Sequence, residues 1–264
     1  NLYNPTPVND IREIIDVARE NHPRTPAFLV KDKPGEQFHP ISFQQFDDDI
    51  NAMGTAFMKM GLGGKKIAVI GENSYPWLIA YFATVNGTGV VVPLDRDLQP
   101  REVANLAKIA EISAIVYAGK FNDTVDEVMA AVPGVIYAID MSAAEDRAGR
   151  LSYAKILDMG RQELAKGNRD FVDAKINADD VCSILFTSGT TGVAKGVMLS
   201  HSNIAANVYN LTKFVRIAPD SIGLSVLPMH HTYEMTCHIL AGLYQGETVA
   251  ICEGLKHIAK NLQE

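Results

Sequence analysis

Hydrophobic residues along the chain occur in two patterns that alternate: the spacing of a helix face and short continuous runs. Residues 10–21 place apolar side chains at intervals of three and four, which is the spacing of one helix face. A second such pattern follows Ser42, forms a capping-box signal with Gln45, and ends at Gly61. After these patterns come short runs that are apolar throughout, of which 67–70 is a clear example. The pattern therefore predicts helices that alternate with buried strands.

The same reading gives an ordered set of elements. Helices are predicted near 10–21, 43–60, 74–85, 100–110, 122–131, 152–166, 200–214 and 232–244, with a short helical stub at the end. Strands are predicted at 66–70, 90–94, 112–117, 135–139, 181–187, 196–199, 222–227 and 248–252. Short apolar strands between amphipathic helices are typical of an α/β fold with largely parallel sheets and helices on both faces. Segment 140–180 is the least regular, so we expect a surface excursion and a candidate subdomain boundary there.

Composition and charge narrow the function classes. The 264 residues are 47% hydrophobic and 21% charged, with a net charge of −7. Lysine and arginine are not concentrated in any stretch, so we expect no nucleic-acid partner. The most apolar region, 77–92, is interrupted by Asn86, Gly87 and Gly89. We therefore expect it to form a helix, a turn and a strand, and we expect no integral membrane segment.

The cysteines indicate a reducing compartment. Cys182, Cys237 and Cys252 are odd in number, widely spaced, and set in apolar segments. Buried free thiols are the expected state. The first residues lack the charged-then-apolar pattern of a signal peptide. We expect a cytoplasmic protein, and peripheral contact with a membrane stays open.

The most informative segment is 187–196, which reads TSGTTGVAKG directly after an apolar run. Glycines let the backbone approach an anion closely, and successive N–H groups with nearby hydroxyls form a nest for phosphate oxygens. Lys195 adds a point charge that can follow a phosphate. The segment differs from a Walker-type loop because Gly196 follows the lysine, and the Gly-x-Gly-x-x-Gly fingerprint is absent. We interpret it as a nucleotide phosphate-binding loop with these candidate residues: Thr187, Ser188, Gly189, Thr190, Thr191, Gly192 and Lys195.

A second motif, LPMHHTYE, occupies residues 227–234. Pro228 and two adjacent histidines make a poor strand interior, so we expect the chain to turn here, on the same sheet edge as the phosphate loop. His230 and His231 do not form a metal site by themselves, because neighbouring side chains point apart and no second ligand has a suitable spacing. Taken alone, such a pair is more often a polar start to a helix.

Together these motifs resemble those of adenylate-forming enzymes, which include acyl-CoA synthetases, adenylation domains of peptide synthetases, and luciferases. The usual signature is Ser/Thr-Ser/Thr-Gly-Thr-Thr-Gly-x-Pro-Lys-Gly, and this chain departs from it at Ala194, where proline is usual. The change removes no charged or hydroxyl group, although it loosens the loop. The His-His-Thr-Tyr-Glu form is most similar to long-chain fatty acyl-CoA synthetases. The earlier blocks SFQQF, GENSYPW and GVVVPLDRDLQP follow the order of the family, and we expect them to serve packing.

The resemblance implies a two-step reaction that uses ATP, Mg²⁺ and coenzyme A to convert a fatty acid into its coenzyme A thioester. It implies that the hydroxyls and glycines of the loop hold the β- and γ-phosphates while Lys195 neutralises them. Thr187 would contribute an oxygen near the magnesium ion. His230, His231 and Tyr233 would line the acyl pocket, with His231 as the candidate catalytic residue.

Several blocks expected of that family are not found within these residues. We find no Tyr-Gly-x-Thr-Glu block, no later aspartate block, and no C-terminal domain with its adenylation lysine. Residues 1–264 are therefore expected to be an incomplete N-terminal AMP-binding domain that lacks the remainder of its own polypeptide and cannot turn over alone. Two alternatives stay open: a ligase or adenylation domain for another carboxylate, and a non-catalytic nucleotide- or acyl-binding module.

Overall fold

The structure is a computed structural model that describes residues 3–187 and 194–264. The strands are β1 Pro26–Val30, β2 His39–Ser42, β3 Lys66–Ile70, β4 Val90–Pro93, β5 Ala114–Tyr117, β6 Tyr137–Asp140, β7 Leu151–Ser152, β8 Val181–Thr187, β9 Lys195–Ser200, β10 Ile222–Ser225 and β11 Thr248–Ile251. The α-helices are α1 Ile11–Asn21, α2 Phe43–Lys59, α3 Tyr75–Ala83, α4 Pro100–Ala110, α5 Asn122–Ala131, α6 Tyr153–Ala165, α7 His201–Phe214, α8 Ala241–Gln245 and α9 Ile258–Asn261. A π-helical segment, Tyr233–Leu240, precedes α8, and a π-type turn, Thr84–Thr88, follows α3.

These strands form two sheets, and most neighbours are parallel. The larger sheet has the order β7-β6-β5-β3-β4-β8-β9, in which β9 alone runs antiparallel to its neighbour. The smaller sheet has the order β10-β11-β1-β2, with an antiparallel β1–β2 pair at one side. The predicted α/β class with largely parallel sheets is confirmed.

Strands β1, β2 and the two-residue β7 are missing from the predicted set, and proline obscures the first two. β1 begins at Pro26, and β2 contains Pro40. Proline cannot donate a ladder hydrogen bond, so it is tolerated at the first residue of a strand or on an edge strand. β2 is such an edge strand. A run that contains proline therefore gives a weak strand signal even where a strand forms.

Two hydrophobic cores lie on opposite faces of the larger sheet. Along β3, Ile67 and Val69 belong to the core shared with the smaller sheet, whereas Ala68 and Ile70 belong to the core under α4 and α5. Successive strand residues point to opposite faces, so this alternation shows that β3 is buried on both sides. No helix of the described residues is both long enough and apolar enough to cross a lipid bilayer.

Segment 140–180 is mostly exposed, as expected of a surface excursion, but part of it packs against the rest of the chain. Strand β7 pairs with β6, α6 lies along α2, and the Phe171 side chain is fully buried beside Gly54. The buried Asp49 carboxylate accepts hydrogen bonds from Arg161 of α6 at 2.7 Å and from Tyr75 of α3 at 2.9 Å. Polar stretches on both sides of α6 conceal this packing in the sequence. The subdomain boundary near 140–180 stays a prediction.

Gly160 sets the distance between α6 and α2. A Cβ atom built at this glycine would lie 1.8 Å from the carbonyl oxygen of Ala52. Alanine in place of a helical glycine gains about 0.5–1 kcal/mol in an unobstructed helix. Here the clash is with backbone that cannot rotate away, so Gly160→Ala should lower the free energy of unfolding by about 3 kcal/mol in urea titrations.

Gly134 provides the matched control for that measurement. A Cβ atom built at this position would have the Ile112 carbonyl oxygen as its nearest neighbour, at 4.0 Å. Gly134→Ala should therefore change the free energy of unfolding by less than about 0.5 kcal/mol. Equal stabilities of the Gly160→Ala and Gly134→Ala variants would contradict the close α2–α6 approach.

Candidate active site

Three chain segments meet at one cavity of about 750 Å³. Strands β4 and β8 are parallel neighbours, so their carboxyl ends reach the same sheet edge, and the segment after β10 arrives from the smaller sheet. The described lining residues are Pro93, Leu94, Asp95, Leu98, Glu102, Asn105, Leu106, Ile109, Leu185, Phe186, Thr187, Ala194, His230, His231 and Thr232. This volume lies within the range of small-molecule sites, and the position is where α/β sheets bind ligands.

The predicted phosphate loop joins two antiparallel strands beside this cavity. Thr187 ends β8 and lies opposite Lys195, which begins β9, and both residues are exposed. Thr187 and Ala194 line the cavity. Ser188, Gly189, Thr190, Thr191 and Gly192 lie outside the described residues. Both ends of the motif are therefore held together at the cavity by the β8–β9 ladder.

The two histidines of the second motif lie against each other in the cavity wall, so the expectation that their side chains point apart is wrong. Their ring centroids are 4.3 Å apart, and the His230 side chain is nearly buried while His231 is exposed. His230 Nε2 has no hydrogen-bond partner among the described residues and lies 3.6 Å from a carboxylate oxygen of Asp95. Burial lowers the pKa of His230 to about 4, an effect opposed by Asp95 and reinforced by His231. His230 is therefore neutral at physiological pH and offers one uncharged ring nitrogen near the cavity.

The structure separates Tyr233 from the other predicted site residues. Its side chain is 66% exposed, and it is absent from the described lining of the cavity. The predicted helix over 232–244 is present, but its first part is π-helical. Such segments occur frequently at functional sites because they redirect side chains.

Sequence reasoning missed Asp95 as a cavity residue. The block that contains it is expected to serve packing, yet Asp95 follows the end of β4 and faces His230. The usable signal is its position just beyond a strand end, next to the strand that carries the phosphate loop. Leu98, Leu106 and Ile109, from α4 and the segment before it, give the same cavity an apolar side.

A buried polar cluster anchors the π-helix to β10. Glu234 is 2% exposed, and one of its oxygens accepts hydrogen bonds from Ser225 Oγ at 2.6 Å and His238 Nδ1 at 2.8 Å. His238 Nε2 lies 3.8 Å from a carboxylate oxygen of Glu247. A glutamate four residues before a histidine is the sequence signal for this pair. The cluster fixes the C-terminal side of the histidine motif.

No preformed metal cage is present in the part of the chain that the structure describes. No group of three or more histidine, cysteine, aspartate or glutamate side chains there could hold a metal ion. The exposed Thr187 hydroxyl fits the oxygen preference of Mg²⁺ as a single ligand, and Mg²⁺ commonly binds through substrate phosphates and waters with few protein ligands. The three cysteines are free, with Cys182 and Cys252 buried as expected and Cys237 only half-buried.

The Glu234–His238–Glu247 cluster should make stability depend on pH. Burial of the imidazole opposes its charged form, but the hydrogen bond to Glu234 and the charges of both glutamates outweigh burial and raise the pKa of His238. A raised folded-state pKa stabilises the protein below the unfolded value, and this contribution is lost as pH rises through the folded value. His238→Gln should cost roughly 1.5–3 kcal/mol of unfolding free energy at about pH 6.5, and less at about pH 9.

The measurement is urea unfolding of the wild type and the variant across this pH range. His257→Gln is the control, because His257 is exposed and lies outside the cluster. A stability difference between wild type and His238→Gln that stays constant from about pH 6.5 to about pH 9 would show that His238 is not charged in the folded protein.

Comparison with known proteins assigns this arrangement to a family. The sequence model of the AMP-binding enzyme family matches residues 15–263. A curated relative, the peroxisomal long chain acyl-CoA synthetase 6 of Arabidopsis thaliana, is 28% identical over 221 residues, which cover 77% of this chain and 31% of that protein. The chain thus spans about a third of the length of that relative.

Solved structures show the same fold. The inhibitor-bound N-terminal domain of FACL13 from Mycobacterium tuberculosis aligns with a TM-score of 0.82 at 18% identity, covering 97% of this chain and 60% of that one. ATP-bound MatB from Rhodopseudomonas palustris aligns with a TM-score of 0.70 at 25% identity, covering 89% of this chain and 44% of that one. With its family match, its two-sheet fold and its two motifs at one cavity, the chain belongs to the AMP-binding enzyme family.

Proposed function

We propose that the whole protein is an ATP-dependent long-chain fatty acid–CoA ligase and that this chain supplies its phosphate-binding and acyl-side walls. One observation carries the proposal: both ends of the phosphate motif and the histidine motif meet at a single cavity. Thr187 and Ala194 line one side of it, and His230, His231 and Thr232 line another. A site that joins a nucleotide to a carboxylate needs the two substrates within reach of each other.

In the proposed reaction, a carboxylate oxygen attacks the α-phosphorus of ATP, giving an acyl-adenylate and pyrophosphate. The thiol of coenzyme A then attacks the acyl carbon and displaces AMP. Lys195 and the donors of residues 187–192 bind and neutralise the β- and γ-phosphates. The Mg²⁺ ion would neutralise phosphate charge, with Thr187 as a protein oxygen ligand. These residues orient the leaving group.

On the acyl side, His231 is the proposed catalytic residue because it is the exposed histidine in the wall of the cavity. His230 lies behind it, against Asp95, and its neutral ring places no positive charge there to compete with Lys195 for the phosphates. Tyr233 joins the acyl pocket only if the exposed π-helix start turns toward the substrate. The apolar side chains of Leu98, Leu106 and Ile109 support a hydrocarbon substrate.

The names of relatives support the choice of acid. The Arabidopsis relative is named as a long chain acyl-CoA synthetase.

Free cysteines support a reducing compartment, so we place the protein in the cytoplasm. We also propose that this chain needs the remainder of its polypeptide for turnover.

Carboxylate-dependent exchange of labelled pyrophosphate into ATP tests the proposal. The full-length protein should catalyse exchange with long-chain fatty acids and little with short-chain, aromatic or amino acids, whereas the 264-residue chain should catalyse none. Exchange with a different acid would keep the chemistry and replace the substrate. No exchange with any acid would contradict the ligase and favour a non-catalytic nucleotide- or acyl-binding module.

Replacing Lys195 should weaken ATP binding. A charge-assisted contact to phosphate contributes roughly 1.5–3 kcal/mol, so Lys195→Ala should raise the Kd for ATP about ten- to hundredfold in calorimetry. Lys175→Ala is the matched control, since Lys175 is exposed and does not line the cavity. An unchanged Kd in Lys195→Ala would remove this lysine from the phosphate site.

A further inference from the structure

Asn73 connects the larger sheet to the segment that carries the histidines. It lies in the turn between β3 and α3, and its side-chain amide reaches residues that follow β10 in the other sheet. Asn73 Nδ2 donates to the Leu227 carbonyl oxygen at 2.7 Å, and the Met229 N–H donates to Asn73 Oδ1 at 2.9 Å. We name this pair of bonds the Asn73 clasp.

The clasp accounts for an asparagine at this position. Asn73 does not have a positive φ, so the left-handed conformation that favours asparagine in turns is not the reason for its presence. A primary amide carries both a donor and an acceptor, which match a backbone C=O and an N–H two residues further on. Aspartate would keep only the acceptor, and alanine would keep neither.

The turn that holds Asn73 is itself fixed. The neighbouring Ser74 caps α3 by accepting a hydrogen bond from the Trp77 N–H, and the Trp77 side chain is 1% exposed. On the other side of Asn73, β3 is hydrogen-bonded between β4 and β5. Asn73 is therefore a rigid point from which the larger sheet can hold a segment of the smaller one.

The clasped segment leads directly into the cavity wall. The His231 N–H donates to the Pro228 carbonyl oxygen at 3.0 Å, which closes a tight turn next to the clasp. Met229 is 2% exposed and belongs to the core, while His230 and His231 line the cavity. The Ser225–Glu234 hydrogen bond closes the same segment from its other end. A shift of residues 227–229 would therefore move both histidines relative to Thr187.

We infer that Asn73 is a positioning residue for the carboxylate side of the site. It acts through the backbone of residues 227–229, which sets where His230 and His231 stand relative to the phosphate loop on β8–β9. The inference rests on the proposed function for its kinetic consequence but not for the clasp itself. The phosphate loop lies on different strands, so Asn73 should affect the acid and leave ATP binding unchanged.

The test compares Asn73→Ala and Asn73→Asp with the wild type in the full-length protein. Asn73→Ala should lower kcat/KM for the acid in pyrophosphate exchange by about tenfold, with the KM for ATP unchanged. Asn73→Asp should keep the amide-hydrogen protection at Met229, because it keeps the acceptor. It should still lower kcat/KM for the acid, because a carboxylate would face the Leu227 carbonyl oxygen without a donor. Hydrogen exchange resolved to Met229 should be faster in Asn73→Ala than in the wild type.

Asn122→Ala is the matched control. Asn122 also makes two hydrogen bonds, accepting from Tyr117 and donating to the Gly119 carbonyl oxygen, and it does not line the cavity. It should leave Met229 exchange and both kinetic constants unchanged. An equal loss of kcat/KM for the acid in Asn73→Ala and Asn122→Ala would show that the effect is general destabilisation. That result would overturn the inference.

Two further outcomes would overturn it. Unchanged Met229 exchange in Asn73→Ala would show that the clasp does not form, and faster exchange with unchanged kinetics would show that it positions nothing. A wild type without pyrophosphate exchange would refute the proposed function instead. In that case, Met229 hydrogen exchange in Asn73→Ala and in the wild type still tests whether the clasp forms. Faster exchange in the variant would support the clasp, and equal exchange would refute it.

Discussion

The parallel pairing of β3, β4 and β8 determines which residues of this protein meet at the candidate site. β4 lies between the other two, and all three run in the same direction. Their carboxyl ends therefore share one edge, and a different segment of the candidate site leaves each end. The β3 end leads to Asn73, the β4 end to Asp95, and the β8 end to the phosphate loop. Because β3 is buried on both faces, this order cannot change without opening two cores.

The histidine motif has to be brought to that edge from the other sheet. Its segment follows β10, whose ladder partner is β11. Two links hold it in place: the buried Ser225–Glu234 hydrogen bond, and the Asn73 clasp on the larger sheet. The candidate site is therefore an assembly of two sheets, and the proposed phosphate side and carboxylate side lie on different strands.

Much of the fold could be predicted from the sequence because its signals are local. Strand β3 is apolar after its first residue, and the serine caps at Ser42, Ser74 and Ser200 accept the expected backbone N–H groups. The sequence was least informative where tertiary contacts determine how a segment packs. The packing of α6 depends on Gly160, whose missing side chain becomes informative only when the partner helix is known.

The candidate site also has parts that could be predicted from the sequence and parts that could not. The two motifs were recognisable as strings, but the prediction that they share one sheet edge is wrong, because the histidine segment follows β10 of the smaller sheet and reaches the cavity from there. The contacts of Asp95, Asn73 and Glu234 were not predicted, because each of these residues contacts a partner that is distant in sequence or hidden by burial. Side-chain hydrogen bonds of this kind have no periodic signal. They become visible only when the strand order brings the partners together.

The most direct test of the central claim, that both motifs form one site, is a crystal structure of the full-length protein with a non-hydrolysable acyl-adenylate analogue. We predict that the analogue lies in the cavity between Thr187 and His231, with its phosphate mimic toward the end of β8 and its acyl chain toward α4. An analogue bound elsewhere, or one whose acyl group does not approach His231, would contradict it.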